Sequence, residues 1–387
     1  MLRLSLQELA LKLKIMKVKI GDSIQDALTQ ALDPPTEVNI QRAVAALIEV
    51  KALTANEDIT PLGRHLSRMP LDVHMGKFLL IASMMRCLDP ALTIAAALNS
   101  KSPFVTPFGR EEEADLIKAS FKAGDSDFLT VANAFNAWRR ACANNHHWQF
   151  CNRTFLSHQT LQQIEDLRQQ YMAYLLDSGF VKVDDATSRA IARLRYRANT
   201  GSSSGKPRLM QLPDDLNANS GSVAVISAAM SAALYPKLLA IDARSGPHGQ
   251  LRTIGNNAPA SIHPSSVNRR LRFQALPKTV HYLLYFTLMQ NAKKRMFAWD
   301  TSPADDRALL LMCGDANFYV SVRDAPQLTL PRASTEVAAL SLQLAANSVY
   351  IDRQKIRFSI VDLKTILALR LLRDNLWRLI NSTFRAP

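Results

Sequence analysis

The sequence predicts a multidomain protein: an α-rich N-terminal half, then a β-rich segment, then a C-terminal helix. Three observations predict it. The chain has 387 residues, beyond the ~250–300 at which one hydrophobic core stops growing. Apolar residues recur at helical spacing through the first half, and from Val223 onward the pattern turns to short strands. Charge is segregated as well. Residues 1–72 carry 9 basic and 9 acidic side chains, residues 73–190 carry 12 and 12, and residues 191–387 carry 26 and 12, which is the whole net +14.

In residues 1–72, Leu6, Leu9, Leu13 and Met16 share one face of a helix over 5–19. Ser23, Ile24, Ala27, Leu28 and Leu32 mark a second helix, stopped by Asp33-Pro34-Pro35. Thr36 caps a third, with Ile40, Val44, Leu47 and Ile48 on its apolar face and Glu37 in its first turn. A compact element, Ile59 to Leu66, follows a polar turn. Three short helices and that element predict a winged-helix type unit, and its neutral charge favours packing or docking over phosphate binding.

Residues 73–190 predict a helical bundle. Phe78–Leu88 and Ala91–Asn99 form an apolar pair broken at Asp89-Pro90. Helices follow over Glu111–Phe121, Asp127–Ala143 and Leu156–Asp177, the last ending near Ser178-Gly179. Arg189, Arg193 and Arg197, joined by Arg195, make one helix face basic, and 191–222 reads as a basic, flexible linker containing Gly201-Ser202-Ser203-Ser204-Gly205. In 223–330, Val223–Ile226, His281–Phe286, Leu309–Cys313 and Phe318–Val322 read as short apolar strands. Short strands in a basic segment of this size fit a small barrel of the OB type, a common single-strand binder. Residues 331–387 form an extension with a strand, Ile356–Ile360, and a helix over 362–380.

Several classes of function are disfavoured. The longest apolar run, Phe78 to Met85, is far short of the ~20 residues that cross a bilayer, so no membrane partner is expected. Met1 to Ile20 is lysine-rich and runs into the next element, unlike a transit peptide. The four cysteines form no C-x-x-C pair, which suggests a reducing compartment, cytoplasmic or nuclear, and no structural zinc. No G-x-x-x-x-G-K-[ST] loop, D-E-x-H box or G-x-S-x-G elbow occurs, so no catalytic residue is assigned. Glu111-Glu112-Glu113 suits a helix start, and His146-His147 a loop rather than a metal site.

Binding features are stronger. A field of one sign over half a protein suits a polyanion partner. Lys293-Lys294-Arg295 falls at a loop between strands, and Arg269, Arg270 and Arg272 follow His263-Pro264-Ser265-Ser266, whose imidazole and hydroxyls suit phosphate or 2′-OH contacts. Tyr235, Tyr285 and Phe297 are candidates for base stacking, with core packing the commoner fate of each.

The order of motifs resembles the C-terminal half of DEAH-box/RNA helicase A-type RNA helicases. Ala31–Pro35 and Leu62–Asp72 resemble the family's winged helix, Ala97–Phe104 and Phe150–Ser157 its helical ratchet domain, and Ala233–Pro236 with Ile262–Asn268 its OB-fold domain. The resemblance implies three domains around a single-stranded RNA channel. It adds Lys101 and Ser102 at the bundle mouth to the candidate RNA contacts. It also implies two RecA-like domains that bind ATP and Mg and step along RNA; neither their motifs nor a cofactor site is found here, so this chain alone is expected to be inactive. Met1-Leu2-Arg3 matches the end of a P-E-[MI]-L-R motif, so the expectation is a partial product whose RecA-like domains lie upstream. Ala233 stands where the family usually has Gly, Phe128 where it often has His, and Ala298-Trp299-Asp300 where it reads closer to I-R-D. The other reading is a docking module that binds a helicase-activating protein or a ribosome without touching RNA.

Overall fold

The computed structural model describes residues 6–16, 23–199, 207–242, 249–319, 348–352, 356–359 and 363–385. Helices α1 (Leu6–Ile15), α2 (Ile24–Thr29), α3 (Glu37–Glu49) and α4 (Pro61–Ser67) form the first unit. Ser23 opens α2 with a reciprocal cap: its hydroxyl accepts from the Asp26 amide and the Asp26 carboxylate accepts from the Ser23 amide. Thr36 occupies the cap position of α3 as expected, but its hydroxyl makes no capping bond. Thr60 caps α4 by accepting from the Gly63 amide at 3.0 Å. Gly63 is required by a close approach, because a Cβ there would collide with the Ala52 carbonyl oxygen.

The bundle comprises α5 (Val73–Met84), α6 (Leu88–Leu98), α7 (Glu111–Ser120), α8 (Asp127–Ala143), α9 (His147–Thr154), α10 (His158–Asp177) and α11 (Asp185–Asn199). The break between the first two falls at Met85–Cys87, where Arg86 has φ +55, rather than at Asp89-Pro90. Pro90 sits instead in the first turn of α6, where its missing N–H has no intrahelical partner to lose. His146-His147 is not a loop: His146 precedes α9, and His147 is buried with its ring 4.7 Å from that of His158. Arg189 and Arg193 are exposed on α11, and the side chains of Arg195 and Arg197 lie outside the described residues.

A buried charge network organises this bundle. Arg168 is fully buried and bonds Asp89 at 2.7 Å and Glu165 at 3.1 Å, while Arg139 reaches Asp89 at 3.0 Å. Burial alone would raise the Asp89 carboxyl, but the two guanidiniums outweigh it and hold the group below the usual carboxylate range. Glu165 also accepts from the Met210 amide at 2.6 Å. Residues 207–222 are therefore not a loose linker: Met210 is buried, and Asn217 and Asn219 bond backbone groups at the start of α6 and before it. The Gly201–Gly205 run lies outside the described residues.

Two apolar runs whose pattern predicts strands are helices. Val223–Leu234 forms α12, capped by Ser222 and rich in alanine, and it packs against α5. Asp306–Met312 forms α13, capped by Asp305, and contains Leu309–Met312. Short apolar runs do not by themselves distinguish a buried strand from a buried helix; packing against neighbouring helices decides here. Between them β1 (Leu238–Asp242), β2 (Gln250–Thr253), β3 (Pro259–Ile262), β4 (Val280–Gln290) and β5 (Met296–Asp305) close a barrel in the order β1-β2-β3-β5-β4. β3 and β5 run parallel; the other pairings are antiparallel. Its interior holds Leu239, Leu251, Leu283 and Ala298.

Beyond the barrel, β6 (Ala316–Tyr319), β7 (Ser348–Ile351) and β8 (Ile356–Ser359) make an antiparallel sheet, and α14 (Leu363–Arg385) ends the described chain. Residues 320–322 of one expected strand are outside the described residues. The buried Arg373 of α14 donates to the Leu310, Cys313 and Gly314 carbonyls, satisfying the open end of α13. All four cysteines are free and buried. No helix among the described residues is long and apolar enough to cross a membrane.

Candidate nucleic-acid interface

Hairpin geometry presents the basic run. Strands β4 and β5 pair from Tyr285↔Thr301 to Gln290↔Met296, so residues 291–295 form the turn. The Asn291 side-chain oxygen accepts from the amides of Lys293 at 3.0 Å and Arg295 at 2.9 Å. Lys294 takes φ +58. This closed turn leaves Lys293, Lys294 and Arg295 exposed on a braced backbone. Below it, a groove of about 570 Å³ has an apolar floor that includes Leu251, Ile262 and Phe273 and a rim of Arg269, Lys294 and Arg295.

The second half of the site is assembled by tertiary contact. The Lys118 ammonium of α7 donates to the Ser265 carbonyl at 2.5 Å and lies 5.0 Å from the Phe104 ring centre. Asp115, one turn earlier, pairs with Arg269 at 2.7 Å. The loop bearing exposed Lys101 and Ser102 is fixed by backbone bonds from Ser157 to Pro103 and from Val105 to Phe155, each 2.8 Å. Lys118 thus joins the ratchet-side and barrel-side candidates at one seam.

His263 stands at that seam. Its Nδ1 bonds the Ser265 hydroxyl at 2.7 Å, and its ring stacks on Trp299 at 3.4 Å between centroids and 17° between planes. Burial first and the Lys118 charge second both lower its basicity, which favours the neutral imidazole. Arg270 is exposed.

Other candidates are engaged elsewhere. Ser266 is buried, and its hydroxyl donates to the Asp127 carboxylate at 2.5 Å, so it holds two domains together instead of facing solvent. The Tyr285 ring packs against the barrel interior, where burial raises its phenol, and Tyr235 is only 4% exposed. Tyr235 is thereby closed to a base, while Tyr285 is half-buried against the barrel interior. Phe297 is half-buried with its ring nearly perpendicular to that of His263. Lys118 and Asp127 escaped sequence reading because a single Lys or Asp on a helix carries no signal of what it meets. Among the described residues no group of three His, Cys, Asp or Glu is arranged to hold a metal ion.

Asp300, beside this seam with φ +52, is a half-buried carboxyl raised to about 6, by desolvation first and the Asp127 charge second, against the pull of Lys118. A raised carboxyl favours the folded state at pH below its ordinary value, and that advantage is lost as pH climbs through about 6. Asp300→Asn, which tolerates the left-handed conformation, should therefore stabilise the protein by on the order of 2 kcal/mol at pH 8. The gain should shrink toward zero near pH 4. Urea denaturation at several pH values checks this, and a pH-independent difference would refute the assignment.

The fold defines a class: a winged-helix and ratchet-like helical assembly carrying a closed five-stranded barrel of the OB type. Residues 43–71 match the winged-helix helicase-associated domain (HA2), residues 72–157 the ratchet-like HA2 domain, and residues 226–316 the oligonucleotide/oligosaccharide-binding fold. The chain is a C-terminal module of the DExH-box RNA helicase family. It is 35% identical over 316 residues to the DExH-box ATP-dependent RNA helicase DExH1 of Arabidopsis thaliana, covering 81% of this chain and 28% of that protein. It is 31% identical over 392 residues to the putative ATP-dependent RNA helicase DHX57 of Homo sapiens, covering 94% and 27%. Against the ATP-dependent DNA/RNA helicase DHX36 of Bos taurus the identity is 33% over 319 residues, covering 81% and 28%. The chain thus spans little more than a quarter of the length of these relatives.

Proposed function

We propose that this chain is the RNA-gripping region of an ATP-dependent RNA helicase, forming the single-stranded channel on which RecA-like motor domains act. The observation that carries it is the convergence at Lys118 of the ratchet loop holding Lys101 and Ser102 with the barrel loop holding His263, Ser265 and Arg269. The basic turn continues the same surface through Arg269, Lys294 and Arg295 at the groove rim. The proposed division is 1–72, 73–190, 191–222, 223–330 and 331–387, although α11 crosses the boundary at 190 and residues 207–222 lie against the bundle. Buried free thiols support a reducing compartment, cytoplasmic or nuclear.

Filter binding with single-stranded RNA at several salt concentrations tests the reading. Lys293→Glu with Lys294→Glu should weaken binding and flatten the log–log salt slope by roughly 1.4, about 0.7 for each lost phosphate contact. Unchanged affinity and slope would remove these lysines from the interface.

A protein-docking role has its own support. Val105, Phe108 and Leu116 are 46%, 101% and 72% exposed around the acidic start of α7, a surface suited to a basic or apolar protein face. RecA-like domains are the partner the family implies; a helicase-activating protein or ribosome is the other. The ATP and Mg of the full-length family belong to those domains, and the purified chain is expected to show no ATPase activity.

A further inference from the structure

One surface at the seam is aromatic, where phosphate binding needs only cations. Ala298 points into the barrel with no exposure, and strand alternation sends its neighbours Phe297 and Trp299 to the outer face. Met289 lies opposite Phe297 across the hairpin and is 55% exposed. His263 covers part of this strip, with its ring parallel to Trp299 within 17° and nearly perpendicular to that of Phe297. The imidazole cannot swing freely: its Nδ1 is held by the Ser265 hydroxyl and amide, and its backbone amide donates to the Ala298 carbonyl at 2.9 Å. Lys118 is anchored two residues away at Ser265, which sets a cation beside the stacked rings.

The geometry points to a base-stacking platform built from Trp299 and His263, taking a nucleobase of single-stranded RNA while Lys118 faces the adjoining phosphate. This deepens the single-strand reading above and rests on it. The two rings are braced in advance, so a base adds to an ordered stack without first organising it. Every base has a π-face, so the platform is tolerant of sequence. The contact is uncharged, so it raises affinity without steepening the dependence on salt.

The test uses the full chain with Trp148→Phe, because Trp148 is 62% exposed and would itself report binding. A short oligouridylate and an abasic ribose-phosphate strand of equal length are titrated at several salt concentrations, read by filter binding and by tryptophan fluorescence. Oligouridylate should quench the fluorescence and the abasic strand should not. Trp299→Leu should weaken oligouridylate binding about five- to tenfold, leave abasic binding and the salt slope unchanged, and remove the quenching. Trp299→Phe should restore most of the affinity, and matching far-UV dichroism and melting curves separate this from misfolding. If Trp299→Leu binds oligouridylate as tightly as its parent, or loses both strands equally, the platform is wrong while the RNA reading stands. If the parent binds neither strand in a salt-dependent way, the RNA reading itself fails.

Discussion

Arg168→Ala is expected to destabilise the helical bundle by about 3–5 kcal/mol, the range for removing one partner from a buried ion network. Its guanidinium is fully buried and meets Asp89, Glu165, the Thr93 hydroxyl and the Asp89 carbonyl. Deleting it leaves two carboxylates that burial disfavours, with only Arg139 still facing Asp89. The same loss loosens residues 207–212, because Glu165 also holds the Met210 amide. Urea unfolding followed by far-UV dichroism measures the effect. The pH dependence gives a second readout. Asp89 is held below the ordinary carboxylate range, so its stabilisation is present above pH ~4 and is lost as pH falls through the lowered value. In the variant that loss should begin at higher pH. An Arg168→Ala protein as stable as its parent would show that packing alone holds the bundle.

Asp127→Ala should release the barrel from the bundle. This single carboxylate, at the start of α8, accepts from the Ser266 hydroxyl at 2.5 Å, the Val267 amide at 2.9 Å and the Thr301 amide at 2.8 Å. Removing it strands three donors at a buried junction, with a loss on the order of 3 kcal/mol. Asn268 braces the same junction by donating to the Asp125 and Thr301 carbonyls. The expected result is a split transition, with Trp299 fluorescence changing before the helical signal. RNA affinity should fall too, since undocking parts Lys118 from Ser265. A single unchanged transition would place the domain junction elsewhere.

The helices were legible because their determinants are local. Ser126, Ser157 and Ser222 each accept from an amide three residues on, and the apolar spacing between caps sets helix length. The hairpin turn at 291–295 was legible for the same reason, as a polar basic run between two apolar strands. The misreadings share one cause. Val223–Ile226 and Leu309–Met312 are too short and too apolar for period to speak, and only their neighbours α5 and α14 fixed them as helices. Tyr285 and Ser266 are residue types suited to RNA contact, but the barrel interior and the Asp127 junction engage them instead.

By itself the sequence determined a helical first half, a basic barrel in the second, and the lysines of the β4–β5 turn. Each depends on residues within a few positions of one another, where propensity, capping and periodicity act. Tertiary structure alone decided that Lys118 would touch Ser265, 147 positions away, and that Asp127 would grip Ser266, 139 positions away. It also laid His263 on Trp299. Pairings at such separations leave no periodic trace in the chain, because they are selected by the closing of the barrel and its docking on α7 and α8.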